Sequence, residues 1–234
     1  MDRHPNAATD VLDATGAAAG GTPAPRRMTT DRLVLRRVHP DSVEFERFHA
    51  LFADAVDAEE VFELCNWEPH GDEAETRAYL DRRGDQWERA ECYEYVLEAR
   101  DAGEYVGTAC AVPGDDGDAE FGFWLRKSYW GRGLCGEGTD ALVHAAFERL
   151  DAPYVLAGCL PENDRSRRAI EKFVGRYGGA YVGAVPTVPS RYENAASAPV
   201  VPHHEWTITR EQYDAGERGV STLIPGVEYG EVEF

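Results

Sequence analysis

Tyr129-Trp130-Gly131-Arg132-Gly133-Leu134-Cys135-Gly136-Glu137-Gly138 sets four glycines between an apolar, strand-like run and a stretch of helical periodicity. A turn of this composition suits a phosphate. Glycine lets the backbone turn tightly and approach a ligand with no Cβ in the way. The first amides of the following helix lack partners of their own, and the helix dipole adds to their attraction for an anion. Leu142, Val143, Ala146, Phe147 and Leu150 recur at helical spacing and supply that helix. A glycine-rich surface turn without a ligand is the plain alternative.

Gly131, Gly133 and Gly136 also satisfy Gly-x-Gly-x-x-Gly, and Glu162 lies near the separation at which a dinucleotide-binding fold places its ribose-binding carboxylate. The elements that must position the turn argue against that fold. Its fingerprint follows the first strand of a parallel sheet. Here residues 93–100, 105–112 and 119–125 read as three short strands joined by Asp101-Ala102-Gly103 and by Pro113-Gly114-Asp115-Asp116-Gly117, both hairpin-like. An antiparallel meander leading into one glycine turn, one helix and one strand at 154–160 is a different architecture.

Several separated segments together resemble the GNAT superfamily of acetyl-CoA-dependent N-acetyltransferases, and within it the ribosomal-protein N-terminal type. They are Thr30-Asp31-Arg32-Leu33-Val34-Leu35-Arg36, Trp67-Glu68-Pro69-His70 with Glu75-Thr76-Arg77-Ala78-Tyr79-Leu80, and Glu120-Phe121-Gly122-Phe123-Trp124-Leu125. The glycine turn follows, and then Pro161-Glu162-Asn163-Asp164-Arg165-Ser166-Arg167-Arg168-Ala169-Ile170. The likeness covers residues 29–210. It implies an α/β fold with a mixed, mostly antiparallel central sheet flanked by helices, acetyl-CoA as co-substrate, no metal, and direct attack of a bound amine on the thioester.

By that resemblance Phe123, Trp124 and Leu125 border the thioester, and Trp130, Gly131, Arg132, Gly133, Leu134, Cys135 and Gly136 hold the pyrophosphate, with Arg132 and Lys127 the nearest cations. Asn163 and Ser166 lie beside the pantetheine arm, and Trp67 and His70 on the amine side. Acetyl transfer needs an acceptor for the ammonium proton, donors for the oxyanion and a proton for the departing thiolate. Glu120 is the expected base, on a strand where Glu120, Gly122 and Trp124 share one face. Desolvation beside aromatics raises such a carboxylate's proton affinity. Ser166 is the expected acid. Plainer roles compete: an exposed strand-end carboxylate for Glu120, and an N-cap with its first turn for Asn163 and Ser166. Three departures stand out. Trp130 replaces a polar residue, Cys135 replaces Gly or Ala, and Gly158 sits where some relatives place a catalytic glutamate.

An α-amine titrates near 7.7–8.0 and a lysine near 10.4, so roughly a tenth of the former is already free base at neutral pH. Freeing a lysine costs about 3.5 kcal/mol more. A site without an obvious strong base therefore suits a protein or peptide N-terminus better than a lysine side chain, with a small-molecule amine acetyltransferase and a non-catalytic CoA-binding module as the alternatives.

The chain has 234 residues, with 43 acidic and 24 basic side chains and a formal charge of −19. A surface so acidic repels phosphate backbones, which argues against nucleic-acid binding as a primary role. Lysine occurs only at 127 and 172, and the carboxylates are spread along the chain. This resembles the composition of haloarchaeal cytoplasmic proteins, and self-repulsion then predicts a fold that needs salt screening. Cys65, Cys92, Cys110, Cys135 and Cys159 are odd in number with no Cys-x-x-Cys, consistent with reduced thiols in the cytoplasm. His203-His204-Glu205 cannot converge on a metal from alternating faces of a strand. No run of about 18 apolar residues suggests a membrane span.

Residues 1–28 read as a disordered extension, with Met28 a natural start. Residues 29–210 form one domain, monomeric or homodimeric, and 211–234 a tail. Asp41 and Glu44 are expected to cap a helix lined by Phe45, Phe48 and Phe52, and Asp72 and Glu75 to cap a second.

Overall fold

The computed structural model describes residues 24–53, 58–65, 69–187 and 200–219. Eight strands form one sheet, in spatial order β1-β2-β3-β4-β5-β6-β8-β7. These are β1 (Arg27–Thr29), β2 (Leu33–Arg37), β3 (Tyr93–Ala99), β4 (Glu104–Pro113), β5 (Ala119–Leu125), β6 (Tyr154–Cys159), β7 (Ala180–Thr187) and β8 (Val201–Thr209). Every neighbouring pair is antiparallel except β5 with β6. The crossover between those two is α4 (Leu134–Glu148), as a parallel connection requires. The remaining helices are α1 (Phe45–Ala53), α2 (Ala58–Phe62), α3 (Glu73–Glu88), α5 (Asp164–Arg176) and α6 (Arg210–Gly219).

Strand alternation divides the core into two clusters, one on each face of the sheet. On one face Leu35, Tyr95, Leu97, Phe121, Val155, Ala157 and Ile208 pack with Leu142, Phe147, Ile170, Phe173 and Tyr213 from α4, α5 and α6. On the other, Val96, Tyr105 and Trp124 meet Phe48, Phe52, Phe62 and Tyr79 from α1, α2 and α3. The Phe48 and Phe52 stripe is therefore core. Asp72 caps α3 as its sequence predicts, accepting from Glu75 N–H at 2.9 Å, while the Glu75 carboxylate reaches back to Gly71 N–H at 2.6 Å.

Three expectations are corrected. Asp41 does not cap α1: the helix begins only at Phe45, and the Asp41 carboxylate accepts instead from the buried Arg37 guanidinium and from Ser42. The segment 24–28 is not a disordered extension, because Ala24 and Met28 are buried and the Pro25 carbonyl accepts from the Tyr95 hydroxyl at 2.9 Å. Residues 211–219 are not tail but belong to α6, whose Tyr213 is fully buried and bonds His144.

Candidate active site

The parallel pairing of β5 with β6 covers only Ala119↔Val155, Glu120↔Leu156 and Phe121↔Ala157, although β5 continues to Leu125 and β6 to Cys159. Beyond Phe121 the two strands part. The β5 backbone from Gly122 to Leu125 thus keeps a strand edge facing the gap, where an extended ligand can pair with it in place of a neighbouring strand.

The glycine turn stands at the open end of this gap. A single 3₁₀ turn, Lys127–Tyr129, leads through Trp130 into Gly131 (φ 72°) and Gly133 (φ 78°), both left-handed, as a non-glycine residue would not readily be. Gly133 is the N-cap of α4 with no side-chain cap, and the first helical bond runs from Glu137 N–H to the Gly133 carbonyl at 3.2 Å. The amides of Leu134, Cys135 and Gly136 lie ahead of that bond and point out of the helix end. Trp130 is fixed by its indole N–H on the Leu125 carbonyl at 2.8 Å, with the Arg165 guanidinium 4.5 Å above the ring. Burial pushes the Cys135 thiol up to about 11, so it remains a neutral packing group. A Cβ at Gly138 would lie 3.1 Å from the Phe123 ring, so a larger residue there needs that ring to shift by a few tenths of an ångström.

Sequence reasoning missed the residues that brace this turn. The Glu137 carboxylate accepts from the Arg32 backbone N–H at 2.7 Å, from Arg32 Nε at 2.6 Å and from the Thr30 hydroxyl, while Arg32 Nη1 donates to the Arg132 carbonyl at 2.7 Å. On the other side Arg176 donates to the Gly136 carbonyl at 3.2 Å and pairs with Asp140 at 2.6 Å. The two expected cations differ in circumstance. Arg132 is exposed and lies over the Tyr129 ring at 4.7 Å, whereas Lys127 is paired with Glu60 of α2. Glu60 also pairs with Arg165 at 2.9 Å, so α2 bridges the two walls of the gap.

Asn163 caps α5, accepting from Ser166 N–H at 3.0 Å, and its amide donates to the Leu64 carbonyl at 3.3 Å. Both polar ends of that side chain are engaged in the fold. The half-buried Ser166 hydroxyl lies against the Cys159 thiol. Trp124, Phe52, Phe62, Tyr79 and His70 form a continuous aromatic cluster, with His70 stacked on Phe52 at 4.0 Å and its Nδ1 3.0 Å from the Thr76 hydroxyl. Burial drives His70 down to about 4, so its ring is neutral. Trp67 falls outside the described residues.

Glu120 shares its face of the sheet with Gly122 and Trp124. Burial first, then the nearby Glu205 and Asp118, raises its proton affinity, and His203 acts in the opposite sense. Alternation on β8 sends His203 and Glu205 to this face, with Nδ1 and Oε1 3.9 Å apart, while His204 turns to the other and meets the Tyr181 hydroxyl at 2.7 Å. Among the described residues no group of three metal-ligating side chains converges. No helix among them is long and apolar enough to cross a membrane.

Residues 32–173 match the family described as the acetyltransferase (GNAT) domain. An uncharacterized N-acetyltransferase, p20, of Bacillus licheniformis is 24% identical over 140 residues, covering 58% of this chain and 75% of its own. The crystal structure of a GCN5-related N-acetyltransferase from Brucella melitensis superposes with a TM-score of 0.67 at 17% identity, covering 88% of this chain and 90% of that one. RimL, a ribosomal-protein alpha-N-protein acetyltransferase in its apo form, superposes with a TM-score of 0.60 at 16% identity, covering 77% and 91%.

Proposed function

This chain belongs to the GNAT acetyltransferase family and is an acetyl-CoA-dependent acetyltransferase, and we propose that its acceptor is the α-amine of a protein or peptide N-terminus. The observation that carries the reading is the parting of β5 from β6 after Phe121 beside an uncapped glycine turn. In this reading the amides of Gly131 to Gly136, with Arg132 alongside, take the pyrophosphate. The pantetheine arm lies against the β5 edge at Phe123, Trp124 and Leu125, with Asn163 and Ser166 on the opposite wall. One N–H of that edge stabilises the oxyanion. Glu120 lies on the acceptor side, and Ser166 is the nearest hydroxyl for the departing thiolate. His70 borders the amine.

Two features favour an α-amine. The acceptor face offers weak bases, which suffice for an amine that is already partly neutral at pH 7. The acidic surface attracts cationic peptides, as the ribosomal-protein type of enzyme would require. The same surface supports a cytoplasmic protein adapted to high salt. The test is turnover of acetyl-CoA in molar KCl against Ala-, Ser- and Met-initiated peptides beside an aminoglycoside and a polyamine. Acetylated peptide is the expected product, and turnover confined to the small amines overturns the assignment.

A further inference from the structure

Gly158 occupies the first position of β6 beyond its last pairing with β5, on the face that carries Glu120 and Gly122. A Cβ at Gly158 would collide with the His203 ring, lying 2.8 Å from Nδ1, and with the His204 carbonyl, 2.7 Å away. The space that a longer side chain at 158 would fill is therefore filled by an imidazole reaching in from β8. It reaches the inner end of the gap, where the strands part, and only 17% of its side chain is exposed. Glu205 lies beside it on β8, and Glu120, with Asp118 just before β5, faces it across β6.

We propose that His203 takes the proton from the acceptor ammonium, with Glu120 and Glu205 stabilising the imidazolium that forms. This rests on the acetyl-transfer reading and refines it. The ammonium N–H gives its proton to a neutral ring nitrogen of His203, and the freed lone pair attacks the thioester carbonyl carbon. The C–N bond forms, and the oxyanion collapses to break the C–S bond, whose electron pair leaves on sulfur. The second amine proton goes to that thiolate, directly or through Ser166, and the His203 proton is released to water past Glu120. Glycine at 158 is then the condition for a base supplied from β8.

His203→Gln tests this against wild type, with melting and acetyl-CoA calorimetry on both. His203→Asn serves in its place where Gln is not tolerated. The expected result is an unchanged acetyl-CoA affinity and a fall in kcat/KM for peptide of about 100-fold at pH 7. The deficit should shrink as pH approaches 9, where the α-amine is already free base and needs no acceptor. His204→Gln, on the opposite face, should keep wild-type rates. A His203→Gln rate within threefold of wild type, or a deficit that does not change with pH, overturns the proposal and leaves acetyl transfer standing. Wild-type protein that binds acetyl-CoA but acetylates no amine overturns both.

Discussion

Replacing Glu137 by alanine should loosen the glycine turn without touching residues 130–136, which are expected to hold the pyrophosphate. The carboxylate is 13% exposed and gathers three donors, the Arg32 N–H, Arg32 Nε and the Thr30 hydroxyl, tying the start of β2 to the first turn of α4. A hydrogen bond to a charged group contributes about 1.5–3 kcal/mol, but the Arg32 side chain is 52% exposed and its ion pair counts for little. The buried Thr30 hydroxyl keeps an alternative acceptor in the Leu33 carbonyl at 3.3 Å. The net expectation is a loss of about 2–3 kcal/mol for Glu137→Ala and about 1 for Glu137→Gln, which still accepts at one oxygen. For a domain of this size that is roughly 5–10 °C in Tm for the alanine variant. Arg32 also loses its orientation toward the Arg132 carbonyl, so acetyl-CoA must order the turn on binding. If that costs about 1.4 kcal/mol, the Kd rises tenfold. Denaturant unfolding and calorimetry at fixed molar KCl read both quantities, and adding Arg32→Ala completes a double-mutant cycle. Equal stability of wild type, Gln and Ala, or strict additivity in the cycle, refutes the brace.

His70 is held at about 4 in the fold against 6.5 in the unfolded chain, chiefly by burial, so the unfolded state takes up the proton first on acidification. Stability is complete above 6.5 and is lost as pH falls toward 4, by about 1–2 kcal/mol after discounting a half-buried ring, and unfolding of His70→Gln should show a flatter profile there. Tyr95→Phe leaves the buried Pro25 carbonyl without its donor and should cost about 1–2 kcal/mol in denaturant unfolding, and a chain begun at Met28 should lose at least as much. With 43 carboxylates against 24 basic groups, Tm should climb as KCl rises from dilute buffer to molar, and a salt-independent Tm removes the halophilic reading.

The legible parts of this chain were those whose signal is local. Asp72 and Glu75 announce the start of α3 within four residues. Ile170, Phe173 and Val174 give the buried stripe of α5, and the glycines at 131 and 133 announce a turn with positive φ. Alternation correctly sent His203 and His204 to opposite faces. Asp41 was misleading because its carboxylate pairs instead with Arg37, a partner four residues back whose burial no pattern reveals. The polar run that forms α6 gave little warning either, since its place rests largely on one residue, Tyr213, packing on Phe147 and Tyr177.

The sequence by itself determined the glycine turn with its following helix, the capped start of α3 and the likeness to the family, because each is written in residue types a few positions apart. Only the tertiary structure decided where β5 and β6 part, that Arg32 and Glu137, 105 positions apart, brace the turn, and that His203 fills the space over Gly158. Those facts depend on strand register and on which side chain reaches a shared space first. Such contacts are settled by packing and long-range pairing, and they leave no spacing in the chain from which to read them.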